Sequence, residues 1–224
     1  MFQVKICGVR HNCDVQWVSQ AGGDAIGLNF FPKSVRYVDP KDESTAELCQ
    51  LANEFGLLRV GVFVNRSAVQ CQEVAEAVGL DVIQLHGDES VDVAQQLTAS
   101  GCRVVRAIKL PLGEIGAQAI NDLVSPWLDA GCHLLFDADA GAAHGGSGKT
   151  LHWQSLAAWQ ESDGCSDWTL AGGLKPENIA AAIRASGATS IDTASGVECP
   201  RGVKSEERVQ QFCRSALAAW ASQS

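Results

Sequence analysis

Three side chains able to move protons stand where short apolar runs of the sequence end. Cys7 closes the run Phe2–Cys7 and is followed by Gly8; Asp137 closes Cys132–Asp137; Asp192 lies within Ser190–Thr193. A thiol has an ordinary pKa near 8.5, so Cys7 can accept a proton once a positive environment lowers that value. A carboxyl group in a partly dry site can act as general acid or base, the role Asp137 suits. Each residue also has a plainer reading: a buried structural thiol, a carboxylate capping a loop, a hydrogen-bonded buried aspartate. Asp139 is a weaker alternative to Asp137, being already in the loop. A thiol and two aspartates at the same end of one sheet make a sharper pattern than any of them alone.

Two glycine-containing turns add a second kind of chemistry. Gly172 and Gly173 follow the run Trp168–Ala171, and Ser195 and Gly196 follow Ser190–Thr193. Such turns expose backbone N–H groups, and a helix N-terminus aimed at the same spot adds positive potential. The pair points to a phosphate-bearing ligand, against the alternative of ordinary loop glycines. Arg36 could grip a substrate carboxylate with its two-pronged guanidinium, or be a solvated loop arginine. His86 ends the run Val82–His86 and reads as a core or rim histidine. Residues 144–150, HGGSGKT, imitate a nucleotide-binding loop, since Gly141 supplies the required spacing to Gly148, Lys149 and Thr150. No clear long helix follows, so the segment reads as a mobile active-site loop with Lys149 an exposed cation.

The elements that must hold these groups alternate regularly. Runs at Phe2–Cys7, Ala25–Phe30, Leu58–Val64, Val82–His86, Arg103–Ile108, Cys132–Asp137, Trp168–Ala171 and Ser190–Thr193 read as strands. Several are continuously apolar, as strands buried on both faces are. Between and after them, Asn12–Gln20, Pro40–Glu54, Ser67–Val78, Ser90–Ala99, Gly113–Leu123, Trp153–Trp159, Pro176–Ala185 and Ser205–Ala221 carry helical spacing. Pro40 and Pro176 suit first turns, and Gly56, Gly79, Gly101 and Gly187 suit helix ends. Alternating β and α segments imply a parallel sheet, and eight units are the number that closes as a (β/α)₈ TIM barrel. An open doubly wound sheet competes, but no GxGxxG follows the first strand. With no break in composition, residues 1–224 read as a single domain. In such a barrel the reactive groups lie where strands end and βα loops begin.

Composition narrows the partners. The formal net charge of −9 disfavours nucleic acid, whose phosphates it repels, but not a small anion held by local N–H groups. The nine cysteines include no Cys-x-x-Cys pair, and the histidines lack ligand spacing, so no metal site is expected. No signal-like or membrane-length apolar stretch occurs, and the reading is a reduced, cytoplasmic protein.

In order along the chain, KICG (5–8), GLNFFPKSVRYV (27–38), GVFV (61–64), IQLHGDE (83–89), LLFDA (134–138), GGSGKT (145–150), LAGGLKPEN (170–178) and IDTASGVE (191–198) resemble the phosphoribosylanthranilate isomerase family. The likeness runs from the first strand to the last. It implies an α/β TIM-barrel isomerase of tryptophan biosynthesis that performs an Amadori rearrangement of a phosphosugar without cofactor or metal, as a monomer or homodimer. By the same resemblance Cys7 is the general base, Asp137 the general acid, and Arg36 the partner of the anthranilate carboxylate. Gly172, Gly173, Ser195 and Gly196 would hold phosphate, with His86 and Asp192 supporting the substrate. Arg10 and His152 depart from the pattern, standing where threonine and aspartate are more usual. The rival readings are another phosphosugar barrel, which lacks the Cys-Gly end to the first strand, and a non-catalytic binding protein, which need not keep both Cys7 and Asp137.

Overall fold

Eight parallel strands close on themselves in sequence order, β1 through β8, each followed by a helix. The computed structural model describes residues 1–138, 150–163, 165 and 167–223. The strands are β1 (Val4–Cys7), β2 (Ala25–Asn29), β3 (Leu58–Phe63), β4 (Val82–Leu85), β5 (Val104–Leu110), β6 (His133–Ala138), β7 (Trp168–Leu170) and β8 (Ser190–Thr193). The helices are α1 (Asn12–Gln20), α2 (Glu43–Glu54), α3 (Ala68–Val78), α4 (Val91–Ala99), α5 (Ala117–Asp129), α6 (Trp153–Asp163), α7 (Ile179–Ser186) and α8 (Glu206–Ala221). The pairing of β1 with β8 closes the ring, so the eight units form the barrel expected and not the open sheet that competed with it. Among the described residues, no helix is long and apolar enough to cross a membrane.

The period of two along each strand builds two cores. Ile26, Leu28, Ile83, Leu85 and Phe136 face the helices and join Trp159, Trp168 and Phe212 in one buried cluster. Ala25, Val60, Val82, Val105, Ala107 and Leu135 form a second cluster inside the barrel. Lys5 and Cys7 share the inward phase of β1, Gln84 continues the inward phase of Val82, and Asp137 continues that of Leu135. The same alternation that fills the barrel therefore carries the chemistry to its upper end.

Element ends depart from expectation for local reasons. Helix α2 begins at Glu43 rather than Pro40 because Asp42 caps it, accepting from the Ser44 N–H at 3.0 Å. Helix α5 starts later than Gly113 and runs through Pro126 to Asp129. Its apolar face extends past Ile120 and Val124 to Trp127 and Leu128, and that packing outweighs the proline. Helix α7 starts at Ile179 because Asn178 ties up the preceding turn, accepting from Lys175 N–H at 2.8 Å and donating to the Gly173 carbonyl at 3.0 Å.

Candidate active site

A cavity of about 470 Å³ opens at the carboxyl ends of the strands. Its wall includes Cys7 from β1, Arg36 from the loop after β2, Gln84 and His86 from β4 and the turn beyond it, Asp137 from β6, and Asp192 from β8. Gly172, Gly173 and Ser195 complete the side after β7 and β8. The groups expected to act together thus share one chamber of a size suited to a small ligand. Gly196 does not line it: the Gly196 backbone is pressed against the Leu174 carbonyl, leaving no space for a side chain. Asp139 and Lys149, with the loop at 139–149, lie outside the described residues.

Cys7 is 8% exposed and is flanked by two close approaches. Gly8 has φ +77°, and a side chain at Gly8 would collide with the aliphatic part of Arg36, so the glycine lets that arginine lie across the end of β1. Lys5, fully buried two residues earlier, donates to Asp192 Oδ1 at 2.7 Å. Burial pushes the Cys7 thiol above its ordinary range; Lys5 opposes this, Asp192 reinforces it, and Lys204 and Arg36 oppose it more weakly. The expected cations are therefore present, but desolvation outweighs them. For Lys5 itself, burial works against the charge, but Asp192 and Cys7 together outweigh it, so the ammonium is held protonated.

Arg36 is not a solvated loop residue. Its Nε donates to Glu198 Oε1 at 2.6 Å and its Nη2 to Oε2 at 2.7 Å. Glu198 also accepts from Lys204 Nζ and from the Gly202 N–H, each at 2.9 Å. Burial would raise the Glu198 pKa, but Arg36 and Lys204 hold it at about 2. One edge of the guanidinium is thus occupied, and among the described residues Arg36 Nη1 makes no hydrogen bond. A bound carboxylate would meet that remaining edge.

Asp137 Oδ1 accepts from the Ala138 N–H at 2.8 Å, and its Oδ2 lies 3.3 Å from His86 Nε2. His86 therefore faces the Asp137 carboxyl directly. Gly172 and Gly173 have φ +80° and +67°, and among the described residues their N–H groups have no acceptor. The Ser195–Val197 segment forms one turn of 3₁₀ helix beside them. Exposed Lys33 and Arg201 also line the wall, so the cavity favours an anion. Among the described residues, no group of three or more His, Cys, Asp or Glu could hold a metal ion.

Lys5, Gln84, Glu198 and Lys204 escaped the reading of the sequence as site residues. The first two could have been found by period two, because Lys5 sits two places before Cys7 and Gln84 two before His86 on inward faces. Glu198 and Lys204 carry no such local signal; their places depend on the fold. The two departures noted in the sequence have structural uses: Arg10 Nη1 donates to the Val35 carbonyl at 2.8 Å, and His152 Nδ1 lies 3.0 Å from Ser155 Oγ at the start of α6.

Known proteins match the whole of this architecture. The family model described as "N-(5'phosphoribosyl)anthranilate (PRA) isomerase" matches residues 4–215. The N-(5'-phosphoribosyl)anthranilate isomerase of Rhodospirillum rubrum is 39% identical over 219 residues, covering 95% of this chain and 96% of that protein. The solved phosphoribosyl anthranilate isomerase of Thermotoga maritima superposes with a TM-score of 0.83 at 29% identity, covering 97% of this chain and 100% of that one. A phosphoribosyl anthranilate isomerase solved with reduced 1-(o-carboxyphenylamino)-1-deoxyribulose 5-phosphate gives a TM-score of 0.80 at 28% identity, with the same coverage.

Proposed function

The chain belongs to the N-(5'-phosphoribosyl)anthranilate isomerase family, and from that premise we propose how its own residues carry out the Amadori rearrangement of tryptophan biosynthesis. The substrate is N-(5-phosphoribosyl)anthranilate, and the product is 1-(2-carboxyphenylamino)-1-deoxyribulose 5-phosphate. Asp137, as a neutral acid, gives its proton to the furanose ring oxygen. The C1–O bond breaks with that electron pair going to oxygen, and the anthranilate nitrogen supplies the pair that makes a protonated Schiff base. Cys7, as thiolate, then takes the proton from C2, and the C2–H pair forms the C1–C2 double bond of an enolamine. Loss of the O2 proton and gain of one at C1 give the ketone. The enzyme ends with one proton moved from Asp137 to Cys7, which exchange through solvent reverses.

The anchoring groups follow from the same reading. Gly172, Gly173 and Ser195 receive the phosphate, and the free edge of Arg36 receives the anthranilate carboxylate. Asp192 acts through Lys5 beneath the thiol. Remote binding of phosphate and carboxylate fixes the sugar between acid and base, which would each contribute roughly 10²–10⁴-fold. The nine free thiols suit a reducing compartment such as the cytoplasm.

One observation carries this assignment: Cys7 and Asp137, from strands well separated around the ring, line one cavity with the glycine turns and Arg36. The test is turnover of freshly made N-(5-phosphoribosyl)anthranilate, followed by the change in anthranilate fluorescence. Cys7→Ala and Asp137→Asn should each lower kcat at least about 10²-fold while a phosphate ligand still binds. Undiminished turnover in both variants would overturn the roles.

A further inference from the structure

Gln84 is 1% exposed and shares the inward face of β4 with the position two residues on, His86. Its Nε2 lies 3.0 Å from His86 Nδ1, while its Oε1 is buried with no hydrogen-bond partner. On the other side of the ring, His86 Nε2 lies 3.3 Å from Asp137 Oδ2. An amide NH₂ can only donate, so the nitrogen facing it must be the one with the lone pair. The proton of the neutral imidazole then sits on Nε2 and points at Asp137. Turning the amide over would seat Oε1 on the ring and call for a proton on Nδ1, so the amide orientation and the tautomer are fixed together.

This choice of tautomer bears on the acid. With a lone pair on Nε2, His86 would accept a hydrogen bond from protonated Asp137 and turn that proton away from the substrate. With Nε2–H it cannot. The same N–H then holds the carboxylate once its proton has gone to the ring oxygen, alongside the Ala138 N–H at 2.8 Å on Oδ1. We infer that Gln84 is a positioning residue: its amide N–H locks His86 in the Nε2–H tautomer and so reserves the Asp137 proton for the substrate. The catalytic consequence rests on the isomerase reading; the tautomer does not.

The tautomer is read from ¹⁵N spectra of histidine-labelled full-length protein, recorded above about pH 8, where an ordinary imidazole is neutral. His86 is assigned by the signal lost in His86→Asn. The wild type should show an unprotonated Nδ1 and a protonated Nε2. Gln84→Met keeps the length of the side chain but lacks the donor; it should populate the Nδ1–H form and lower kcat roughly tenfold or more with little change in KM. Gln84→Glu offers an acceptor and should drive the proton to Nδ1 more completely, with a larger loss of kcat. A proton on Nδ1 in the wild type overturns the inference, as does a wild-type tautomer and kcat in both variants. A wild-type chain that does not turn over the substrate counts against the isomerase reading alone, because the spectrum needs no substrate.

Discussion

Arg36 and Glu198 meet in a two-bond fork at 2.6 and 2.7 Å, with the Glu198 side chain only 1% exposed. The pair joins the loop after β2 to the loop after β8, so the arginine proposed to meet the substrate carboxylate is already held in one orientation. The Glu198 carboxylate is held at about 2, against about 4.3 for an unperturbed glutamate. A lowered folded-state value means that its stabilisation is complete above the unfolded pKa and disappears as pH falls through the folded one. Glu198→Gln should therefore cost on the order of 3 kcal/mol in urea denaturation at pH 7, with the gap to wild type closing between about pH 4.5 and 2. KM for the anthranilate substrate should rise more than kcat falls, because the loss is in aim rather than in proton transfer. A variant with unchanged stability across that window would show the fork to be energetically idle.

The thiol of Cys7 has a second dependence on pH. Burial raises its pKa, and Lys5 is the strongest of the groups pulling it down. Alkylation at Cys7, followed by site-resolved mass spectrometry because eight other free cysteines compete, should accelerate mainly above the ordinary thiol value of about 8.5. Lys5→Met should move that profile to still higher pH, and the rising limb of kcat/KM should move with it. Profiles of Lys5→Met and wild type that coincide would remove Lys5 from the chemistry.

The barrel was legible because its signals are local. Continuous apolar runs mark strands buried on both faces, and eight repeats of strand and helix leave few ways to close. The placing of Cys7 and Asp137 at the mouth of the barrel was legible for a related reason: both stand at the carboxyl end of a buried strand, where the inward phase reaches the cavity. Gly196 read as part of the phosphate cradle because a glycine beside Ser195 looks the same whether it faces a ligand or a neighbouring carbonyl. The packing on Leu174 shows that the face a side chain would occupy meets a carbonyl. Glu198 was illegible as the partner of Arg36 because the two are 162 positions apart, joined by a closure that no short window contains.

The proposed phosphate cradle makes its own prediction. Ser195 lines the cavity at the start of the 3₁₀ turn, beside N–H groups of Gly172 and Gly173 that lack an acceptor among the described residues. Ser195→Asp places a negative charge where the substrate would place its own. Inorganic phosphate should compete with substrate in the wild type and lose most of that effect in the variant. KM should rise by at least about tenfold, since a like charge within a few ångströms costs at least about 1.4 kcal/mol in a partly buried site. Equal phosphate inhibition in both proteins would place the anion elsewhere.

Gly172 tests how closely the β7 turn is fitted to the acid. A Cβ at this position would lie 2.6 Å from the Ala138 nitrogen and 3.0 Å from Asp137 Oδ1, and the backbone φ is +80°. Gly172→Ala therefore adds two separable effects: the strain of a left-handed backbone, about 1–2 kcal/mol, and pressure on the carboxylate and the N–H that holds it. Gly101 separates them. It has φ +85°, a methyl group there would meet nothing within 4 Å, and it lies at the end of α4, far from the site in the fold. Gly101→Ala should lose a similar amount of stability in thermal melts and keep wild-type kcat. Gly172→Ala should lose stability and, in addition, at least about tenfold in kcat, as expected if Asp137 is the general acid proposed above. If both variants keep full kcat, the Asp137 carboxyl does not depend on the turn that packs against it.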